Sequence, residues 1–338
     1  MNKKRVLAML LAGAMALSMT ACGGNSASTD GSSNDGGASA SGGSYKVSVI
    51  LKTLAAEYWQ YVKSGAEDYA SEHSDKVTVE VKGPSSETAF DEMQNMIETD
   101  LSSGSYDGVI ISPLQSDTAA QLVSGTKLPI VAIDTNFTAP EVKSFVGTGN
   151  EAAAKKGGEA AVEAAKAAGW TDIKCIEIAG VQGDQTNTAR MNGYKAGVEE
   201  AGGTFLSDEV QYADATADRA TTAMEAIMQT HPEGIAIICA NNDDMAMAAA
   251  RAAQGHDAYK NTIFIGFNGD RAACEAILAG QMTMSVAQMA YEMGYKAVET
   301  MVQVLDGETV DEFVDSGSDV VTPDNAQERL DTLKTQLH

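Results

Sequence analysis

From residue 45 to 336, short runs rich in β-branched and other apolar residues alternate with longer Ala-rich stretches of helical period. The runs at 45–52, 77–83, 108–112, 129–134, 144–149, 172–180, 205–212, 234–241, 262–268 and 282–288 predict strands. Helices are expected in most of the intervals, and two more, near 289–306 and 323–336, close the chain. Strand-helix alternation of this kind builds right-handed parallel crossovers and an open sheet covered on both faces. The length is about twice what one core ordinarily serves, so two similar doubly wound parallel-sheet lobes are expected.

Polar residues break the pattern at corresponding places. In an open parallel sheet the ligand crevice lies beyond the carboxyl ends of the strands. Here "VILK" stops at Lys52, "IVAID" at Asp134, "IICANN" at Asn241 and Asn242, "FIGFN" at Asn268 and "MSVAQ" at Gln288. Loop and helix starts add Tyr58, Trp59 and Arg190. A lone Asn or Asp at such a place caps the next helix more often than it meets a ligand, but recurrence in both halves favours a shared cleft. The aromatic pair is ambiguous by period: Tyr58, Val62, Gly65 and Tyr69 share one helical stripe, and Trp59, Val62, Ala66 and Ala70 another, so one ring can belong to the core. Trp59 is the ring expected to face a ligand.

The amino end changes the picture from a free protein to an anchored one. A basic start (Lys3, Lys4, Arg5), an apolar run to Leu17 and small residues before Cys22 form an export signal over 1–21. Met19-Thr20-Ala21-Cys22 is similar to a lipobox, with Met where Leu is usual, so Cys22 is expected to carry the lipid. Residues 22–44, mostly Gly, Ser and Ala after that cysteine, lack the apolar surface to fold and read as a tether. Its expected reach is about 25 Å.

Without the three basic residues of the signal, 47 Asp and Glu face 20 Lys and Arg, a net charge of −27. Such a chain repels nucleic acid and anionic lipid headgroups. Of the remaining cysteines, Cys175 and Cys239 sit in strand patterns and Cys274 in a helical one; with no short spacing they read as buried free thiols. His73, His231, His256 and His338 are scattered without metal or triad spacing, so no metal, cofactor or catalytic residue is expected. "GTGNEA", from Gly147 to Ala152, fits a dinucleotide loop pattern but lies far from the first strand, and reads as a crossing between lobes.

The ordered segments "VILKTLAAEYW", "GPSSETAFDEMQNMIETDLSSGSYDGVIISPL", "PIVAID", "NTARMNGYKAG", "ANNDDMAMAAA" with "IGFNGD", and "GQMTMSVAQ" resemble the periplasmic sugar-binding proteins of the ribose, allose and galactose type. That resemblance implies the type I periplasmic binding fold, two lobes joined by three crossings, with 45–148 plus 289–313 in the first and 149–288 plus 314–338 in the second. It implies a monomer that closes on one sugar or polyol and serves an ABC permease with its ATPase subunits, held to the membrane by the lipid. Carried over by position, Lys52, Tyr58, Trp59 and Asp134 would line the cleft from the first lobe, Arg190, Asn242 and Asn268 from the second, and Gln288 from a crossing. The chain departs from the pattern at Ala56-Glu57, Thr135, Ala215 and Asn268, so no particular sugar is implied. The readings of another class are a ligand-sensing partner of a membrane receptor and a surface sugar-acting enzyme.

Overall fold

The computed structural model describes residues 44–337. The expected export signal, Cys22 and nearly all of the expected tether lie outside the described residues.

In the first half the strands are β1 (Tyr45–Ile50), β2 (Val77–Lys82), β3 (Gly108–Ile111), β4 (Ile130–Ile133) and β5 (Val142–Gly147). The next set is β6 (Lys174–Ala179), β7 (Thr204–Phe205), β8 (Gln211–Tyr212), β9 (Ile237–Ala240), β10 (Ile263–Asn268) and β11 (Met284–Gln288), and the chain ends with β12 (Phe313–Asp315) and β13 (Ser318–Val321). Between them lie α1 (Glu57–Glu72), α2 (Phe90–Ser102), α3 (Ser116–Val123), α4 (Asn150–Ala167), α5 (Gln185–Glu200), α6 (Ala217–Thr230), α7 (Asp243–Ala252), α8 (Arg271–Leu278), α9 (Ala290–Leu305) and α10 (Ala326–Thr335).

The strands form two sheets of the same design. One runs β12-β5-β4-β3-β1-β2, the other β13-β11-β10-β9-β6-β7, with β8 also on β6. Every pairing is parallel except β11 with β13. Strands β3, β4 and β9 are buried along their whole length, which is why they read as unbroken apolar runs: helices cover both faces. The chain passes between sheets after β5, after β11 and between β12 and β13.

The two helices that follow the first crossings dock alike. Helix α4 lies on α5 and α9 on α1, and small residues make the approach close. A Cβ on Gly193 or Gly197 would run into the Glu151 or Lys155 carbonyl oxygen, and one on Gly65 or Gly294 into that of Tyr291 or Val62.

Three expectations are corrected. The stretch 205–212 is not one strand but two dipeptide strands around a 3₁₀ turn at Ser207–Glu209. Strands β12 and β13 have no counterpart in the sequence expectation; at three and four residues, with only Val321 buried, they are too short to show a period. Strand β12 continues in the first sheet to Asp315, so the last passage falls at Ser316 and Gly317 rather than at 313–314. Among the described residues no helix is long and apolar enough to cross a membrane.

Candidate functional site

Asp134 organises the first lobe's strand ends. It follows β4 directly, and its φ of 62° turns the backbone away from the sheet while its N–H still donates to the Val146 carbonyl at 2.9 Å. One carboxylate oxygen accepts from the Tyr58 hydroxyl at 2.8 Å and the other from the Thr135 hydroxyl at 2.8 Å. Lys52 Nζ stands 3.7 Å from Asp134 Oδ2 and 6.0 Å from the Trp59 ring centre. Burial, and next the Asp134 charge, hold the Tyr58 hydroxyl well above its ordinary pKa, so it stays a donor.

The two aromatic rings divide differently from the expectation. Trp59 is 3% exposed, belongs to the core and donates its indole N–H to Glu87 Oε1 at 2.8 Å. Tyr58 is half-buried, edge-on to Trp59 with ring centres 5.0 Å apart. The α1 stripe of Val62, Ala66 and Ala70 takes Trp59 into the core, and Tyr58 carries the polar group to Asp134.

Arg190, on α5, is the second lobe's buried cation. Its guanidinium lies 3.9 Å from the Phe267 ring centre, donates from Nε to Asn150 Oδ1 at 2.8 Å and from Nη1 to the Asn241 carbonyl at 2.9 Å. Burial lowers its pKa, while Asp134 and Tyr58 of the first lobe act in the opposite direction, so the polar groups of the two lobes lie within electrostatic reach of each other. An ion pair also bridges the lobes, from Arg271 at the start of α8 to Glu57 at the start of α1, at 3.1 Å.

Asn268, the last residue of β10, has φ 140° and accepts from Gln288 Nε2 at 2.8 Å. Gln288 Oε1 in turn accepts from the Thr148 hydroxyl at 2.9 Å. Asn242 stands apart from this group. Its Oδ1 caps α7 by accepting from the Met245 N–H at 2.9 Å, and its Nδ2 donates to the Ala215 carbonyl at 3.1 Å. Thus the structure brings Lys52, Tyr58 and Asp134 together in one lobe and Asn268 with Gln288 in the other, holds Arg190 on α5 within electrostatic reach of Asp134, and gives Asn242 a capping role.

Sequence reasoning passed over Asn150, Phe267, Thr148 and Ser316, which hold Arg190 and Gln288. Asn150 and Thr148 sit inside "GTGNEA", which reads as a crossing, and Phe267 inside "FIGFN" next to Asn268; none carries a charge to mark it. Behind Arg190, Glu177 is wholly buried, with no hydrogen-bond partner on either oxygen among the described residues, and burial pushes its pKa up to about 8. Cys175, Cys239 and Cys274 are free and buried, with the first two sulfurs 3.4 Å apart. Among the described residues no group of three or more His, Cys, Asp or Glu could hold a metal ion.

The profile of the periplasmic binding protein domain matches residues 47–309. The D-allose-binding periplasmic protein of Escherichia coli K12 is 30% identical over 264 residues, 75% of this chain and 82% of its own length. The ribose import binding protein of the same organism is 27% identical over 268 residues, covering 78% and 86%. Among solved structures, an ABC transporter solute-binding protein of Mycobacterium smegmatis with bound glycerol is 25% identical with a TM-score of 0.71, over 85% of this chain and 96% of that one. A carbohydrate transporter solute-binding protein of Agrobacterium radiobacter in complex with D-arabinose has a TM-score of 0.75 at 23% identity, over 87% and 99%, a likeness of fold.

Proposed function

The chain belongs to the periplasmic binding protein domain family, and on that footing we propose that it is an extracytoplasmic substrate-binding lipoprotein that captures a monosaccharide or related polyol between its lobes. It hands that ligand to an ABC importer, a permease with ATPase subunits, and carries out no chemistry on it. The observation that supports this reading best is the set of polar side chains gathered near the carboxyl ends of the strands: Lys52, Tyr58 and Asp134 in one lobe, Arg190 in the other, with Asn268 and Gln288 at the crossing. A polyol needs donors and acceptors in close alternation, which a carboxylate, a guanidinium and two carboxamides supply.

The ligand contacts we assign are Lys52, Tyr58, Asp134, Arg190, Asn268 and Gln288. Trp59 backs Tyr58 from the core, and Asn242 shapes the rim by capping α7. Residues 45–148 with 289–315 move as one lobe and 149–288 with 316–337 as the other, so ligand draws the lobes together about the crossings. Cys22 anchors the chain, which works as a monomer. The test is small-angle scattering on the chain lacking residues 1–22, with and without saturating sugar: a smaller radius of gyration with sugar supports capture by closure, and an unchanged radius at saturation refutes it.

A further inference from the structure

Three side chains, one on each passage between the lobes, touch in the interior. Thr148 follows β5, Gln288 ends β11 and Ser316 follows β12; they are 2%, 2% and 3% exposed. The Thr148 hydroxyl donates to Gln288 Oε1 at 2.9 Å and lies 3.4 Å from the Ser316 hydroxyl. Arg329, from α10, pins the same place by its backbone: Nη2 donates to the Gln288 carbonyl at 2.7 Å and Nε to the Gly269 carbonyl at 3.1 Å. One guanidinium therefore holds both Gln288 and the residue after Asn268.

A carboxamide in water presents either end. A threonine hydroxyl can donate or accept; here it donates to Gln288 Oε1, and Gln288 Nε2 donates to Asn268 Oδ1 at 2.8 Å. With Oδ1 engaged, Asn268 has its Nδ2 group left, and that nitrogen has no partner among the described residues. We propose that Thr148, supported by Ser316, is a positioning residue that acts through Gln288 to turn the N–H donors of Asn268, rather than its carbonyl, toward the ligand. This rests on the reading of Asn268 as a ligand contact.

The consequence is a rule of ligand chemistry. The group that meets Asn268 must accept a hydrogen bond: a carbonyl, carboxylate, ring or ether oxygen, or a hydroxyl whose own proton goes to another acceptor. A ligand offering only a donor there sets that donor against the Asn268 N–H groups with no acceptor between them, the arrangement that discriminates most strongly in a buried polar site. The residue that sets this polarity touches no ligand.

The orientation is read first in the ligand-free protein, from the side-chain amide signals of Gln288 and Asn268 in a nitrogen-proton correlation spectrum, assigned with Gln288→Glu and Asn268→Ala. In Thr148→Val, which keeps the shape and removes the hydroxyl, both amide pairs shift, and the bonded Gln288 proton exchanges faster; Thr148→Ser retains the wild-type positions. An Asn268 pair that does not move in Thr148→Val overturns the relay. Calorimetric titration with D-allose and D-ribose then reads the effect on binding: Thr148→Val weakens the binding of whichever sugar binds wild type by about five- to tenfold and Thr148→Ser does not. Equal affinity in the valine variant overturns the positioning role. If neither sugar binds wild type, the assignment of these sugars as ligands fails, while the amide spectrum still decides the relay.

Discussion

Asp134 and Asn268 occupy equivalent places in the two lobes. Each stands at the carboxyl end of the strand third from the β12 or β13 edge, and each is a non-glycine residue at positive φ, 62° and 140°. Such backbone costs about 1–3 kcal/mol and persists where the surroundings dictate it. Positive φ at both positions coincides with a polar side chain at a strand end. Replacing Asn268 with glycine relieves that strain and removes the carboxamide. Asn268→Gly is expected to melt no earlier than wild type while binding sugar more weakly; a variant that melts early with intact affinity would make Asn268 a structural residue.

Tyr58 and Trp59 separate stability from binding. Tyr58→Phe deletes the donor to Asp134, a hydrogen bond to a charged group worth about 1.5–3 kcal/mol, and is expected to lower affinity at a smaller cost in stability than Trp59→Ala. Trp59→Ala empties a core position 3% exposed and is expected to destabilise by about 3–5 kcal/mol. Thermal melts alongside titrations distinguish them, and the reverse pattern would return the ligand face to Trp59.

Glu177 makes stability depend on pH. Its folded pKa of about 8 lies above the ordinary 4.5 because burial disfavours the charge, so between those values the folded chain holds a proton that the unfolded chain has lost. Stability therefore falls as pH rises through that window, by up to about 1.4 kcal/mol per unit, and levels off above it. Glu177→Gln should flatten the decline in melting temperature from pH 5 to 8. Part of the slope remains, because burial also pushes Asp243 up to about 8. An identical slope in wild type and variant would mean that Glu177 gains a partner in solution.

Cys22→Ser tests the anchor. Fractionation should find the wild-type chain with the membrane and the variant free of it; retention of the variant would show that something other than a lipid on Cys22 holds the protein.

Much of this fold is legible because buried parallel strands must be apolar throughout, as β3 and β4 are, and because the polar residue ending such a run has to face something. That is how Lys52, Asp134, Asn268 and Gln288 stand out. What stays hidden depends on partners distant in sequence. Ser316 acquires meaning only beside Thr148, 168 residues away, and Asn150 only beneath Arg190. Asn242 shows the limit of strand-end reasoning: the same asparagine serves a ligand or a helix, and here its carboxamide oxygen binds the Met245 N–H. The choice between Tyr58 and Trp59 lay in a rotation of about 100° along α1, which both stripes of small and apolar residues allowed equally.

The most direct measurement of the central claim is calorimetric titration of the chain lacking residues 1–22 with a panel of pentoses, hexoses and polyols, D-allose and D-ribose among them, on wild type and on Asp134→Ala and Arg190→Ala. Saturable binding of one ligand per chain is expected, weakened about ten- to a hundredfold by either substitution, since each removes a charge-assisted hydrogen bond worth about 1.5–3 kcal/mol. Absence of binding across the panel, or binding untouched by both substitutions in chains that fold normally, would contradict it.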